Sequence, residues 1–420
     1  MTTARRWAVV GGGLVGAATA LRLQAAGLET TLIDRGDPRR GASFGNIGHI
    51  AAEQCEPMPS PATLKGAVGR LFAFGGPLDF RARDASLWGP WALRFLAASR
   101  PSAVAHGAEV LAHLLDDPVG AWMRLAALAE APEGLIRATG HSVVWSTPEA
   151  ARRGLAGWSA ARTGGARFRV MEAEELAAYD AVLRQRPAGG IRFTGTGQVS
   201  EPQAVRDALL AAFAAKGGQT VHADAAAIRP VADAAEVALS DGTAIDADRI
   251  VVAAGAWSER LMAPLTAPLG ARAPLIGERG YSVQSAQHDW PEDLPLTVFE
   301  DRALAVARFD GGLRASSHVE FGAPSARPDP RKWRSIEAHL RDLGVAFSAQ
   351  PDRWCGPRPT LPDYLPAIGR LNAYPQVHYA FGHQHLGLTT AARTAEIIEQ
   401  MALGRPALAW TEALKIERFG

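Results

Sequence analysis

Apolar positions in this chain switch between two repeats, and the switches mark its elements. Trp7-Ala8-Val9-Val10 is a short unbroken apolar run, the mark of a strand buried on both faces, and residues 17–26 then carry a helical repeat. Thr30-Thr31-Leu32-Ile33 is a second strand, closed by Asp34. The turn between the first strand and the helix reads Gly11-Gly12-Gly13-Leu14-Val15-Gly16. Strand, G-x-G-x-x-G turn, helix, strand and acid in this order predict a dinucleotide site. Gly11 permits the tight turn, Gly13 lets backbone approach a pyrophosphate, and Gly16 lets helix and strand pack closely. The helix N-terminus then faces the phosphates, and Asp34 accepts from a ribose hydroxyl.

Residues 40–49 are rich in small and turn-forming types, which suits a loop pressed against a flat ligand. Residues 87–131 are largely helical by period, with Pro90, Pro101 and Pro118 expected to cut them into separate helices. Val143-Val144-Trp145 reads as a strand and residues 174–180 as a short helix. Ser200 is the expected N-cap of a helix reaching Lys216, with Val205, Leu209 and Phe213 on one face and Gly217-Gly218 ending it. Residues 220–228 and 236–239 read as strands, with a hairpin turn at Asp241-Gly242, and residues 247–257 as a buried strand ending in small residues. From about 270 to 350 strict alternation takes over, and residues 304–309 and 313–316 predict an antiparallel sheet with one wet face. A strand at 377–381, a loop at 382–387 and a helix at 388–401 complete the pattern.

The 420 residues can bury a sizeable core, as two domains or one bipartite domain. A formal net charge of +1 argues against a nucleic-acid binder. No run of about eighteen apolar residues is present to span a bilayer. Lys occurs only at 65, 216, 332 and 415, so Arg carries the positive charge, a sign of coding bias. Cys55 and Cys355 are the only cysteines, which points to a reducing compartment without a disulfide framework. No C-x-x-C or H-E-x-x-H spacing occurs, and His383 and His385 have no paired ligand motif, so no metal site is expected. Arg5-Arg6 ahead of an apolar run superficially matches a secretory or twin-arginine signal. The run is broken by three glycines, Arg22 and Gln24, and no convincing cleavage site follows, so it is read as the first strand.

Four separated blocks line up in one order. They are the Gly-rich turn, the loop at 43–49, residues 248–257, and Trp354-Cys355-Gly356-Pro357-Arg358-Pro359-Thr360-Leu361-Pro362-Asp363 with Gly382-His383-Gln384-His385-Leu386-Gly387-Leu388-Thr389. This order resembles the FAD-dependent D-amino-acid oxidase superfamily, which includes glycine and sarcosine oxidases. It is most similar to the bacterial D-amino-acid dehydrogenase branch. The resemblance covers nearly the whole chain and is weakest between about 65 and 190. It implies an α/β fold, with a Rossmann-like FAD-binding domain from 1–65, 195–270 and 350–420. An inserted α+β substrate domain with a mixed or antiparallel sheet would come from 66–194 and 271–349. Carried over, the pattern assigns Gly11, Gly13, Leu14, Val15 and Gly16 to the FAD pyrophosphate, and Asp34, with Arg35 beside it, to the adenosine end. Ser43, Gly45, Asn46, Gly48 and His49 would adjoin the isoalloxazine, and Ala254 and Gly255 would lie close to the cofactor. Gly382, His383, Gly387, Leu388 and Thr389 would offer backbone N–H groups, at a helix N-terminus, to the flavin N1–C2=O edge. A helix N-terminus suits the negative charge that a reduced flavin carries there.

The activity implied is oxidative deamination of a D-amino acid or cyclic imino acid, with the Cα hydrogen passing as hydride to flavin N5. A carboxylate substrate needs a fixed bidentate cation, for which Arg suits better than Lys. Arg358 is the first choice for that clamp, and Arg308 and Arg302 are second choices. Tyr281 is a candidate hydroxyl donor to the carboxylate, with a core role as its alternative. His49, His383 and His385 are candidates for tuning the amine or bonding the flavin. Cys355 precedes Pro362-Asp363 at a spacing similar but not identical to that of a flavin-bearing cysteine in sarcosine-oxidase relatives, and is read as a structural thiol. Thr360-Leu361-Pro362-Asp363-Tyr364 replaces the branch's Thr-Pro-Asp-Gly, Asn46-Ile47-Gly48 its Asn-Ala-Gly, and His383-Gln384-His385 a Gly-rich stretch. D-proline or a hydroxy-D-proline therefore stands beside acyclic D-amino acids as substrate. The rivals are a sarcosine- or glycine-type amine oxidase using O₂, an FAD-binding subunit of a heteromeric dehydrogenase, and a nicotinamide enzyme. A dehydrogenase implies an acceptor such as a quinone, and a cytoplasmic protein with peripheral contact at the inner membrane. No strong basic amphipathic helix is evident to support that contact, and the oligomeric state is left open.

Overall fold

The computed structural model describes residues 6–420, so Arg5 lies outside it, while Arg6 opens the first strand. Six strands form one sheet in the order Gln219–His222, Glu29–Asp34, Arg6–Val10, Arg249–Val252, Val377–Phe381 and Ala367–Arg370. All neighbours pair in parallel except the last two. A parallel sheet must be covered on both faces, which is why its strands read as continuous apolar runs. Trp7, Val9, Leu32 and Val251 face the helices Leu14–Ala25, Pro202–Ala215 and Gly387–Ala402. Ala8, Val10, Ile33 and Val252 face the other way, onto the helix Ser258–Thr266 and a three-stranded sheet of Ala225–Val231, Ala234–Leu239 and Ala244–Ala247.

A second, larger sheet is centred on the strand Ile276–Ser285, which pairs antiparallel with Gly312–Gly322 on one side and Asp352–Thr360 on the other. Leu304–Phe309, Thr297–Phe299, His141–Trp145, Gly189–Thr194 and Arg167–Val170 extend it, and Leu78–Phe80 adds to its edge. The helix Pro330–Leu343 packs Ile336 and Leu340 onto one face. Ile47, Leu296 and Val298 cluster with Ala307 and Phe309 on the other. The expected wet face is therefore nearly absent from the strands Leu304–Phe309 and Gly312–Gly322.

Five expectations change. Residues 220–228 are not one strand: Gln219–His222 joins the parallel sheet and Ala225–Val231 the three-stranded one. The strand expected over 247–257 ends at Val252, and Gly255–Trp257 is a 3₁₀ turn. Pro90 does not cut its helix, which runs Ala85–Ala98, whereas Pro101 and Pro118 occupy first positions of their own helices. The carbonyl that loses its partner to Pro90 belongs to exposed Ser86. Ser200 does not cap the next helix. Glu201 holds the N-cap position without a side-chain cap bond, because its carboxylate lies 2.8 Å from the Arg314 guanidinium. Asp352–Thr360, grouped by sequence with the C-terminal segment, belongs to the larger sheet.

Candidate active site

One long cleft runs past the carboxyl ends of the parallel strands, the expected ligand position in an open α/β sheet. At one end it is lined by Val10 to Val15, Asp34, Arg35 and Ala253 to Trp257. Gly11 adopts φ +109°, and a Cβ there would lie 2.5 Å from the Ala253 carbonyl oxygen. A Cβ on Gly16 would lie 1.7 Å from the Gly11 carbonyl oxygen. Gly16 thus serves the helix-to-turn contact and does not line the cleft. Gly13 is the opposite case: a Cβ there meets no protein atom within 4 Å. Open backbone at a helix N-terminus fits a diphosphate. Asp34 accepts from the Gly12 and Gly36 N–H groups at 2.7 and 2.9 Å, one on each oxygen. Its remaining lone pairs are free to accept a ribose hydroxyl. Arg206 braces the same turn, donating to the Gly12 carbonyl at 2.5 Å and lying 3.5 Å from Asp34. Arg35 stacks 4.0 Å over the Trp257 ring, and burial lowers its pKa. These features fit an FAD nucleotide.

At the other end the wall comes from Gly41 to Phe44, Asn46, Pro357, Arg358, Pro359, His383 to His385, Gly387 and Leu388. Gly45 and Gly48 stand behind this wall. A Cβ on Gly45 would lie 2.2 Å from the Trp354 ring, and Gly48, at φ +75°, would press Phe309 at 2.7 Å. Asn46 holds the loop by accepting from Gly48 N–H at 2.7 Å. Gly382 (φ +81°) likewise makes room for Leu361, and the buried Thr389 hydroxyl accepts from Ala51 N–H at 3.0 Å. Backbone of Gly387 and Leu388, opening the helix Gly387–Ala402, is on the wall.

Arg358 is the one guanidinium among the predicted clamps to reach the cleft. Its Nη1 lies 3.4 Å from Glu278 Oε1, while Glu278 Oε2 accepts from the Thr360 hydroxyl at 2.8 Å and the Tyr364 hydroxyl at 3.2 Å. A Cβ on Gly280 would sit 2.4 Å from Arg358 Nη2, so that glycine leaves room for the fork. His385 and Gln54 share a hydrogen bond beside this group. Tyr364 and Gln384 both hold positive φ, 57° and 43°, and Gln384 donates to the Tyr364 carbonyl at 2.8 Å. Such strained backbone clusters at functional sites.

Strand parity explains the choices that fail. Glu278 pairs in register with Arg358, so even positions of Ile276–Ser285 look toward the cleft and odd positions look away. Tyr281 is fully buried on the far side, donating to Glu320 at 3.1 Å and accepting from Asp329 N–H at 3.0 Å. Cys355, its register partner, lies there too, 3.5 Å from Arg279, and does not line the cleft. Arg308 lies in a separate surface depression, 3.8 Å from Glu292, and Arg302 in another. His383 lines the cleft, but its Nε2 is held 3.1 Å from the Thr394 hydroxyl. His49 does not line it. Its ring lies edge-on to His141, and Glu53 stands 3.8 Å from one and 4.0 Å from the other.

Burial governs the charge states. It lowers His383 to about 3, His385 to about 4, His49 to about 3 and His378 to about 3, lowers His141 well below its ordinary value, and raises Glu53 to about 8. Below the ordinary histidine value of 6.5 the unfolded chain takes up protons that these native imidazoles refuse, so stability falls as pH drops. Glu53 acts oppositely, and its contribution is lost as pH rises toward 8. Five histidines outweigh one glutamate below 6.5. The melting temperature of the flavin-loaded protein should peak near pH 6.5 and drop by roughly 5–10 °C by about pH 5. A flat profile from scanning calorimetry across this range would contradict these charge states.

The sequence profile of the FAD-dependent oxidoreductase (DAO) family matches residues 6–401. Among curated proteins, a D-amino-acid oxidase of Bradyrhizobium diazoefficiens is 30% identical over 96% of both chains. A D-amino acid dehydrogenase of Paramagnetospirillum magneticum is 32% identical over 98% of both. Among solved structures, iminodiacetate oxidase of Chelativorans sp. BNC1 superposes with a TM-score of 0.70 at 18% identity, covering 98% of both chains. Glycine oxidase of Geobacillus kaustophilus gives 0.69 at 18%, covering 99% of both.

Proposed function

The chain belongs to the DAO family of FAD-dependent oxidoreductases, and from that premise we propose that it oxidatively deaminates D-amino acids, cyclic imino acids included. The observation that carries the substrate reading is Arg358, a cleft-facing guanidinium at the end opposite the Gly-rich turn. When bound, FAD accepts the Cα hydrogen and its electron pair from the substrate, and the resulting imine hydrolyses to a 2-oxo acid and ammonia or stays cyclic.

The chain's own residues do the rest. Gly11, Gly13, Leu14, Val15, Asp34, Arg35, Ala254 and Gly255 would hold the nucleotide, and Ser43, Asn46, His383, Gly387 and Leu388, which line the other end of the cleft, would adjoin the ring system. Arg358 grips the substrate carboxylate, which fixes Cα in the cleft. Glu278, anchored by Thr360 and Tyr364, holds the guanidinium from behind. His385 is neutral and tied to Gln54, so it shapes the wall beside the guanidinium and adds no competing charge. The helix N-terminus at Gly387 would offer partial positive charge to a ring system that becomes negative on reduction. We read the electron acceptor as a quinone and the protein as peripheral on a membrane. No helix among the described residues is long and apolar enough to cross one.

Anaerobic bleaching of the purified yellow protein tests the reading, with D-alanine, D-proline, cis-4-hydroxy-D-proline, sarcosine and the L-forms as substrates. Loss of flavin absorbance with a D-substrate, and turnover only with added acceptor, is expected. Rapid turnover with oxygen alone would make it an oxidase. A flavin-loaded chain that bleaches with no amine would overturn the amino-acid reading.

A further inference from the structure

We propose that residues 61–100 form a docking surface for an anionic lipid bilayer. The surface argument stands alone; that a lipid-soluble electron acceptor arrives this way rests on the function proposed above. The helix Ala85–Ala98 has one charged side chain, Arg94, and buries only Trp91. Leu87, Leu93 and Leu96 are 51%, 70% and 50% exposed, and upstream Val68 and Phe74 are 66% and 69% exposed. Half of the strongly exposed large hydrophobic side chains among the described residues thus fall between 68 and 96. A helix apolar nearly all round is normally buried, and a concentrated exposed patch marks an interaction site. Because this helix lacks a polar face, an amphipathic period does not reveal it.

Charge identifies the occupant. Lys65, Arg70, Arg83, Arg94 and Arg100 are exposed, and none forms an ion pair among the described residues. The two acids of the segment are already engaged, Asp79 with Lys332 at 2.6 Å and Asp84 with Arg81 at 3.0 Å. Exposed apolar side chains accompanied within 61–100 by exposed cations without ion-pair partners match anionic headgroups over acyl chains. A self-paired interface between two copies would instead set these cations against each other. The inner side of the same helix rests on the substrate end of the cleft. Trp91 donates to the Thr360 carbonyl at 3.3 Å, and Phe95 packs edge-on to Tyr364 at 5.9 Å. Docking therefore brings the Arg358 end of the cleft to the bilayer.

Flotation of the flavin-loaded full chain with phosphatidylglycerol–phosphatidylcholine vesicles, and with phosphatidylcholine alone, tests the proposal. Flotation with the anionic vesicles only, reversed by high salt, is expected. Arg94→Gln should weaken vesicle affinity roughly fivefold, and Phe74→Glu with Leu93→Glu should abolish it. Both variants should keep their flavin and their turnover with a soluble dye. No flotation, equal binding to both vesicles, or self-association dispersed by Leu93→Glu would each overturn it. Absence of dye-linked turnover in the unaltered protein would defeat the functional reading and leave the flotation result standing.

Discussion

Arg358→Met is expected to lower kcat/KM for the oxidised amino acid by roughly 100- to 10,000-fold, while the protein keeps its flavin. Two effects add. The substrate carboxylate loses its fork, and Glu278, 3.4 Å from the missing guanidinium and buried, is left as an unpaired acid near the incoming carboxylate. Removing Glu278's charge as well should therefore recover part of the loss. The double variant Arg358→Met, Glu278→Gln should bind substrate better than Arg358→Met alone, a coupling read from a double-mutant cycle. Arg358→Lys keeps charge but not the planar fork and should fall between the two extremes. Steady-state kinetics with absorbance-based flavin counts on these three variants and on Glu278→Gln alone would check the expectations. If Arg358→Met kept kcat/KM within about threefold, the carboxylate would have to be held elsewhere.

Alanine at Gly16 and at Gly13 should separate protein packing from ligand approach. At Gly16 the methyl would meet backbone, 1.7 Å from the Gly11 oxygen and 2.9 Å from its carbon. Gly11 is locked in a tight turn at the end of the central strand and cannot yield, so Gly16→Ala should destabilise the protein by about 3 kcal/mol or more and give a colourless product. At Gly13 no protein atom lies within 4 Å, and φ is −71°, which alanine adopts freely. Gly13→Ala should melt within a degree or two of the parent apoprotein yet retain much less flavin. Equal melting temperatures for both apo variants would refute the packing role of Gly16. Full flavin retention by Gly13→Ala would refute the close approach of a ligand there.

Much of the nucleotide end was legible because its determinants are local. Six residues of turn, a short apolar run on one side and a helix on the other specify a backbone path whatever surrounds them. The glycines needed sorting, however. Gly45, Gly48 and Gly382 suit a flat ligand by type, yet they make room for Trp354, Phe309 and Leu361. A sequence shows that a position demands a small residue and does not show which neighbour demands it. The exposed Ala85–Ala98 helix was hidden for a related reason, since apolar composition ordinarily signals burial.

By itself, the sequence determined the dinucleotide turn and the family, and singled out Arg358 as the first candidate for a carboxylate clamp. Only the tertiary structure decided which side chains share the clamp's end of the cleft. Glu278, Arg358 and Tyr364 meet through the antiparallel register of Ile276–Ser285 against Asp352–Thr360. The same register turned Tyr281 and Cys355 to the opposite face. Side chains alternate along a strand, so shifting that pairing by one residue would exchange the two sets. Register between strands some seventy residues apart is settled by the whole sheet's packing, which no local pattern encodes.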